Sequence, residues 1–157
     1  MLFARLFVTL RTHILYRVMK IIILNGPNLG RLGQREPEIY GNRSMEDYMD
    51  ELQCLFPTVE FELRQSNCEG TLIDILEEAD ATENIAGVVF NAGAYTHTSL
   101  ALQDCVRSIR VPVIEVHISN VAAREEVRHK SFLAPVCQGT ISGFGLRSYE
   151  LAVRALL

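Results

Sequence analysis

Tyr40 lies in a stretch of turn residues with Arg31, Arg35 and Arg43 close by in sequence, and that combination can make a base. An isolated phenol ionises near pH ~10, too high for proton abstraction at neutral pH. A neighbouring guanidinium lowers that by about 1–3 units. The structural alternative is a lid tyrosine that only packs its ring. His117 is the candidate acid: it ends an apolar run, and an imidazole exchanges protons near neutrality. The alternative there is a satisfied structural histidine. Asn25, Asn28 and Asn91 offer amide donors to an oxyanion without adding charge. Asn-Gly and Pro-Asn are also common turn pairs, so Asn25 is assigned to the turn and Asn28 to a ligand.

The backbone amides of Ile118 and Ser119, with the Ser119 hydroxyl, could bind a carboxylate at a helix entry. Arg124 and Arg128 are four apart and would share a helix face, either toward that carboxylate or as a solvated face with Glu125 and Glu126. Asp104, read alone, is an ordinary exposed acid. Together these groups suit removal of a proton next to a carbonyl, followed by loss of a hydroxyl. There is no phosphate-cradling glycine loop and no nucleophile elbow.

Such groups need a frame, and the chain alternates strand with helix. Apolar Ile21–Leu24 marks a first strand over about Lys20–Leu24. The irregular segment that follows, to Gly41, is far longer than the ~2–6 residues of an ordinary strand-to-helix loop and reads as a functional lid. A helix opens at Ser44, with apolar Met45, Tyr48, Met49, Leu52 and Leu55 at helical spacing. Val59–Leu63 alternates like a half-exposed edge strand. Ser66–Glu69 resembles a capping box opening a helix to about Ala79. Ile85–Phe90 is a continuous apolar run, as in a central strand. A helix over Ser99–Ser108, a strand over Val111–Val116, a short charged helix over Ala122–Lys130, a strand near Val136–Ile141 and a helix over Leu146–Leu157 complete the pattern. Regular alternation predicts an α/β fold: a flavodoxin-like, doubly wound, five-stranded parallel sheet in the order 2-1-3-4-5. Ligands bind such sheets beyond the carboxyl ends of the strands. Asn25 and Asn28, Asn91 and His97, and His117–Asn120 follow three strands placed as neighbours by that order.

The formal charge of −4 disfavours a nucleic-acid partner, and no apolar run is long enough to span a membrane. Cys54, Cys68, Cys105 and Cys137 lack the spacing of a metal site and read as buried, reduced thiols of a cytoplasmic protein. The four histidines also lack metal-site spacing. Residues 1–18 carry Arg5, Arg11 and Arg17 and no acid. They are read as an extension, either an upstream start before Met19 or a targeting segment, with residues 19–157 as a single catalytic domain.

The segments Asn25-Gly-Pro-Asn-Leu-Gly-Arg-Leu-Gly33, Arg35-Glu-Pro37, Tyr40-Gly41, Asn91-Ala-Gly-Ala-Tyr-Thr-His-Thr-Ser99 and Glu115-Val-His-Ile-Ser-Asn120 closely resemble type II 3-dehydroquinate dehydratase. The likeness runs from Met19 to the C-terminus. It departs at Ala122, Val127 and Arg147-Ser148, where the family commonly has histidine, phenylalanine and a glycine before the tyrosine. The resemblance implies anti dehydration of 3-dehydroquinate to 3-dehydroshikimate through an enolate in the shikimate pathway, without metal or organic cofactor. It implies Tyr40 as base, Arg35 as its activator and His117 as acid. Asn28 would hold a water that stabilises the enolate. Asn91, His97, Ile118, Ser119 and Arg128 would bind substrate, and Asp104 would reach a neighbouring subunit's site. Arg124 would help order the lid. It also implies a homododecamer built from trimers.

The type I enzyme for the same reaction uses a Schiff-base lysine. The only lysines here, Lys20 and Lys130, fall on a strand start and a charged segment, which disfavours that chemistry. Two rival readings are a flavodoxin-like small-ligand module and an inactive shell. The first, as a phospho-acceptor, would need acids where Asn25 and Asn28 stand, and the second conflicts with an intact residue set.

Overall fold

The fold is described from a computed structural model, over residues 19–32 and 43–157. Strands β1 (Met19–Asn25), β2 (Val59–Gln65), β3 (Ile85–Asn91), β4 (Val113–His117) and β5 (Gly139–Ser142) alternate with helices α1 (Met45–Leu55), α2 (Glu69–Ala81), α3 (Leu100–Ser108) and α4 (Arg147–Leu156). All neighbouring strands are parallel, in the order β2-β1-β3-β4-β5, as the alternation predicts.

Strand geometry sends successive side chains to opposite faces, so a strand covered on both sides must be apolar throughout. β1 shows this directly. Ile21 and Ile23 join the core under α1 and α4, with Leu52, Tyr149 and Val153. Ile22 and Leu24 join the opposite core under α2 and α3, with Leu72, Leu76 and Leu102. Each fully buried side chain of this kind contributes about 1.5–3 kcal/mol. β2 is the edge expected from its alternation, and its Glu62 pairs with Lys20 at 2.5 Å.

Two helix starts follow the sequence signals. Ser44 accepts from the Asp47 amide at 3.1 Å, and Ser99 from the Leu102 amide at 2.9 Å. Other local readings are corrected. Ser66 does not cap α2; its Oγ accepts from the Cys68 amide, and Cys68 occupies the cap position. β5 starts at Gly139 because Val136 and Cys137 fold back in a turn onto the Leu133 carbonyl, both at 2.9 Å. The charged helix over Ala122–Lys130 is replaced by two single 3-10 turns, Val121–Ala123 and Glu126–Arg128. Arg124 and Glu125 between them are extended, and the segment buries no residue that could hold a longer helix against the sheet. Cys54 and Cys68 are exposed rather than buried; Cys105 alone of the four is fully within the core. Among the described residues no helix is long and apolar enough to cross a membrane.

Candidate active site

The carboxyl ends of β1, β3 and β4 surround a cavity of about 110 Å³. Asn28, Asn91, His97, His117, Ile118, Ser119 and Arg128 line it, together with Arg124. Asp104 does not: it lies on α3 with its side chain 72% exposed and pairs with Arg107 at 3.0 Å. Tyr40 and Arg35 lie outside the described residues.

Asn28 takes a left-handed backbone, φ 66°, which asparagine tolerates better than most side chains. Its amide N–H donates to Asn67 Oδ1 at 2.9 Å. Asn67 is held in turn, because Gln65 Nε2 donates to the same oxygen at 3.1 Å and Tyr95 Oη donates to the Asn67 carbonyl at 3.0 Å. Asn91 is fixed from below. Its Nδ2 donates to Tyr149 Oη at 2.8 Å, and that hydroxyl donates to Asn25 Oδ1 at 2.8 Å. Asn25 thus serves a buried bridge rather than the turn alone. Gly26 lets the exits of β1 and β3 close together, since a Cβ there would stand 2.5 Å from the Ala92 carbonyl oxygen.

His117 is buried and rests on Glu115, with Nε2 2.8 Å from Oε1. The two are i, i+2 on β4 and therefore share a face. Glu115 is fully buried. Burial opposes its ionisation, but bonds from His117, Thr96 and Ser131 outweigh it and hold the carboxyl below its ordinary range. Thr140 Oγ1 adds a fourth donor at 3.0 Å. An ionised carboxylate only accepts, so Nε2 of His117 carries the proton of this bond. Beside Glu115, burial first and the carboxylate's charge second push the Cys137 thiol up to about 12, so that thiol stays neutral.

The His97 ring stacks on His117, centroids 6.2 Å apart and planes 16° from parallel. His97 Nδ1 donates to the Lys130 carbonyl at 2.7 Å. The broken helix has a consequence here: both arginines reach the cavity from separate turns rather than from one helix face. Arg128 Nε pairs with Glu125 at 3.0 Å, and His129 Nε2 donates to the Arg124 carbonyl at 3.0 Å. Ile118 and Ser119 enter a turn instead of a helix, so any anion there meets loop amides and guanidinium groups. The His117 and Ile118 carbonyls are tied by the amides of Gly143 and Gly145, at 3.3 and 3.0 Å. No described lining residue is acidic, and the cavity suits an anionic ligand. No group of three or more described His, Cys, Asp or Glu residues could hold a metal ion.

Sequence reasoning gave no role to Glu115, Asn67 or Tyr149. Glu115 had an available signal, the two-residue spacing to His117 in a strand. Asn67 and Tyr149 act across 39 and 58 residues, and nothing local announces them.

A doubly wound parallel sheet with amides, imidazoles and guanidinium groups gathered beyond its carboxyl ends defines the class: an α/β protein with a switch-point site for a small anion. The family profile described as dehydroquinase class II matches residues 19–157, and the chain belongs to that family. It is 56% identical over 138 residues to a 3-dehydroquinate dehydratase of Rhizobium etli (strain CIAT 652), covering 87% of this chain and 94% of that protein. Likeness to a 3-dehydroquinate dehydratase of Pelodictyon phaeoclathratiforme is 52%, over 88% and 92% of the two chains. Among solved structures, a type II dehydroquinase from Butyrivibrio crossotus superposes with a TM-score of 0.82 at 48% identity, covering 88% of this chain and 97% of that one.

Proposed function

We propose that this protein is a hydro-lyase that converts 3-dehydroquinate to 3-dehydroshikimate in the shikimate pathway. The observation that carries the reading is His117, seated on the buried carboxylate of Glu115 at the wall of a cavity whose described lining holds no acid, in a chain 56% identical to a 3-dehydroquinate dehydratase.

Tyr40, as a phenolate favoured by the charge of Arg35, takes the proton next to the ketone, and the released electron pair forms an enolate. Asn28 holds the water that stabilises the enolate oxygen. The pair then returns to form the carbon–carbon double bond as the carbon–oxygen bond breaks. His117 gives a proton to the departing hydroxyl, which leaves as water. A proton passed from Tyr40 back to His117 resets the site. Asn91, His97, Ile118, Ser119 and Arg128 bind the substrate, its carboxylate lying by the loop amides and guanidinium groups. Arg124 orders the lid.

Asp104 serves a neighbouring subunit of a dodecamer built from trimers, working in the cytoplasm.

The test is turnover of 3-dehydroquinate by the purified full chain, followed by absorbance of the conjugated product, with borohydride in a parallel sample. Turnover that survives borohydride is expected, because no Schiff base forms. A folded, assembled protein without turnover would remove this reading.

A further inference from the structure

We propose that Thr140 is a positioning residue for the acid: its hydroxyl, with those of Thr96 and Ser131, shares the charge of Glu115 and so limits how strongly the carboxylate pulls on the His117 proton. This rests on the dehydratase reading, in which His117 must release a proton to the departing hydroxyl.

The geometry is specific. Glu115 Oε1 accepts from His117 Nε2, from Ser131 Oγ at 2.9 Å and from Thr96 Oγ1. Oε2 accepts from Thr140 at 3.0 Å and from Ser131 at 3.1 Å. Ser131 Oγ also accepts the amides of Leu133 and Ala134, at 3.1 and 2.9 Å, which leaves its proton for Glu115. A buried carboxylate bonded to His117 alone would concentrate its charge on that one bond. Three hydroxyls divide it. Among the described residues, the other groups facing this pair are the neutral Cys137 thiol, the stacked His97 ring and the Arg124 and Arg128 guanidinium groups across the cavity. None of them offers Glu115 a hydroxyl donor.

Thr140 separates tuning from folding. Ser131 is part of a turn and Thr96 is fully buried, but Thr140 is an exposed residue of edge strand β5 whose hydroxyl alone turns inward. Valine keeps its shape and suits a strand.

The experiment compares Thr140→Val and Thr140→Ser with the unsubstituted full chain. Without substrate, the proton resonance of His117 Nε2–H is expected to move downfield in Thr140→Val and to return in Thr140→Ser. With substrate, kcat of Thr140→Val falls severalfold with KM unchanged, and Thr140→Ser restores it. A resonance that stays in place or moves upfield overturns the proposal. That signal needs no turnover, so failure of the dehydratase reading, seen as absent activity in the unsubstituted chain, is distinguished from failure of this one.

Discussion

Asn91 at the end of β3 donates its side-chain amide to the hydroxyl of Tyr149 on α4, at 2.8 Å and wholly buried. A cavity-lining amide is therefore aimed by a helix that packs on one face of the sheet. Burial pushes the Tyr149 phenol well above its usual value, opposed in part by the Asn91 bond, so it works as a neutral hydroxyl that accepts and donates.

Tyr149→Phe keeps the ring and removes the bridge. It leaves Asn91 Nδ2 and Asn25 Oδ1 buried without their partner, which costs about 1–3 kcal/mol. The urea midpoint is expected to fall accordingly, and KM for 3-dehydroquinate to rise as the Asn91 amide loosens. An unchanged midpoint and KM would show that the bridge holds nothing.

Asn67→Ala removes the acceptor that holds Asn28 in its left-handed conformation. Asn67 is exposed, so stability shifts by under about 1 kcal/mol. Misplacing a ligand-facing amide by a fraction of an ångström lowers kcat/KM by about ten- to hundredfold. Asn67→Asp keeps the accepting oxygen and is expected to retain most activity; steady-state kinetics of the two variants checks the contrast.

Glu115→Gln tests the support under the acid. Glutamine can donate to His117 Nε2 and so favour the opposite tautomer, and kcat is expected to fall by about 10²–10⁴-fold. The substitution also changes acid stability. Glu115 is depressed in the fold, so its stabilising contribution is complete above the unfolded value of about 4.3 and is lost as pH falls through the lower folded value. Urea unfolding of Glu115→Gln is therefore expected to depend less on pH in the acid range than that of the unsubstituted chain.

Gly26→Ala places a methyl 2.5 Å from the Ala92 carbonyl oxygen, and both partners are backbone of the site's floor. The β1 and β3 exits must part, at about 1–3 kcal/mol. A lower melting temperature together with a raised KM is expected, because Asn28 and Asn91 flank that contact.

Tyr40→Phe is expected to abolish turnover while leaving folding and substrate binding largely intact; strong residual activity would take Tyr40 out of the base role. His117→Ala should damage dehydration more than proton exchange at the carbon next to the ketone, measured by deuterium incorporation.

The sheet was legible because its signals are local and energetically dominant. Ile21–Leu24 and Ile85–Phe90 are apolar throughout, which two covered faces require, and Val59–Leu63 alternates as an edge does. Asn91, His97 and His117 are legible as residues that line the cavity because Asn91 and His117 end β3 and β4 and His97 lies shortly past β3. The segment over Ala122–Lys130 was misread because its charges mimic a solvated helix face, while the structure spends them on local pairs such as Arg128 with Glu125. Glu115 was passed over because a carboxylate inside a strand is ordinarily turned to water, and the hydroxyls that make its burial tolerable come from Thr96, Ser131 and Thr140. Tyr149 and Asn67 contribute through contacts that exist only once the chain has folded.

The Tyr149 bridge also orders events in time. Asn25 leaves the ribosome 124 residues ahead of the hydroxyl that partners it. Until α4 is made, the first strand carries an unmet amide in what will become the interior, and Asn91 has nothing to aim it. A chain that stops short of Tyr149 therefore holds the cavity-lining side chains of β1, β3 and β4 but lacks the hydroxyl that joins Asn25 to Asn91.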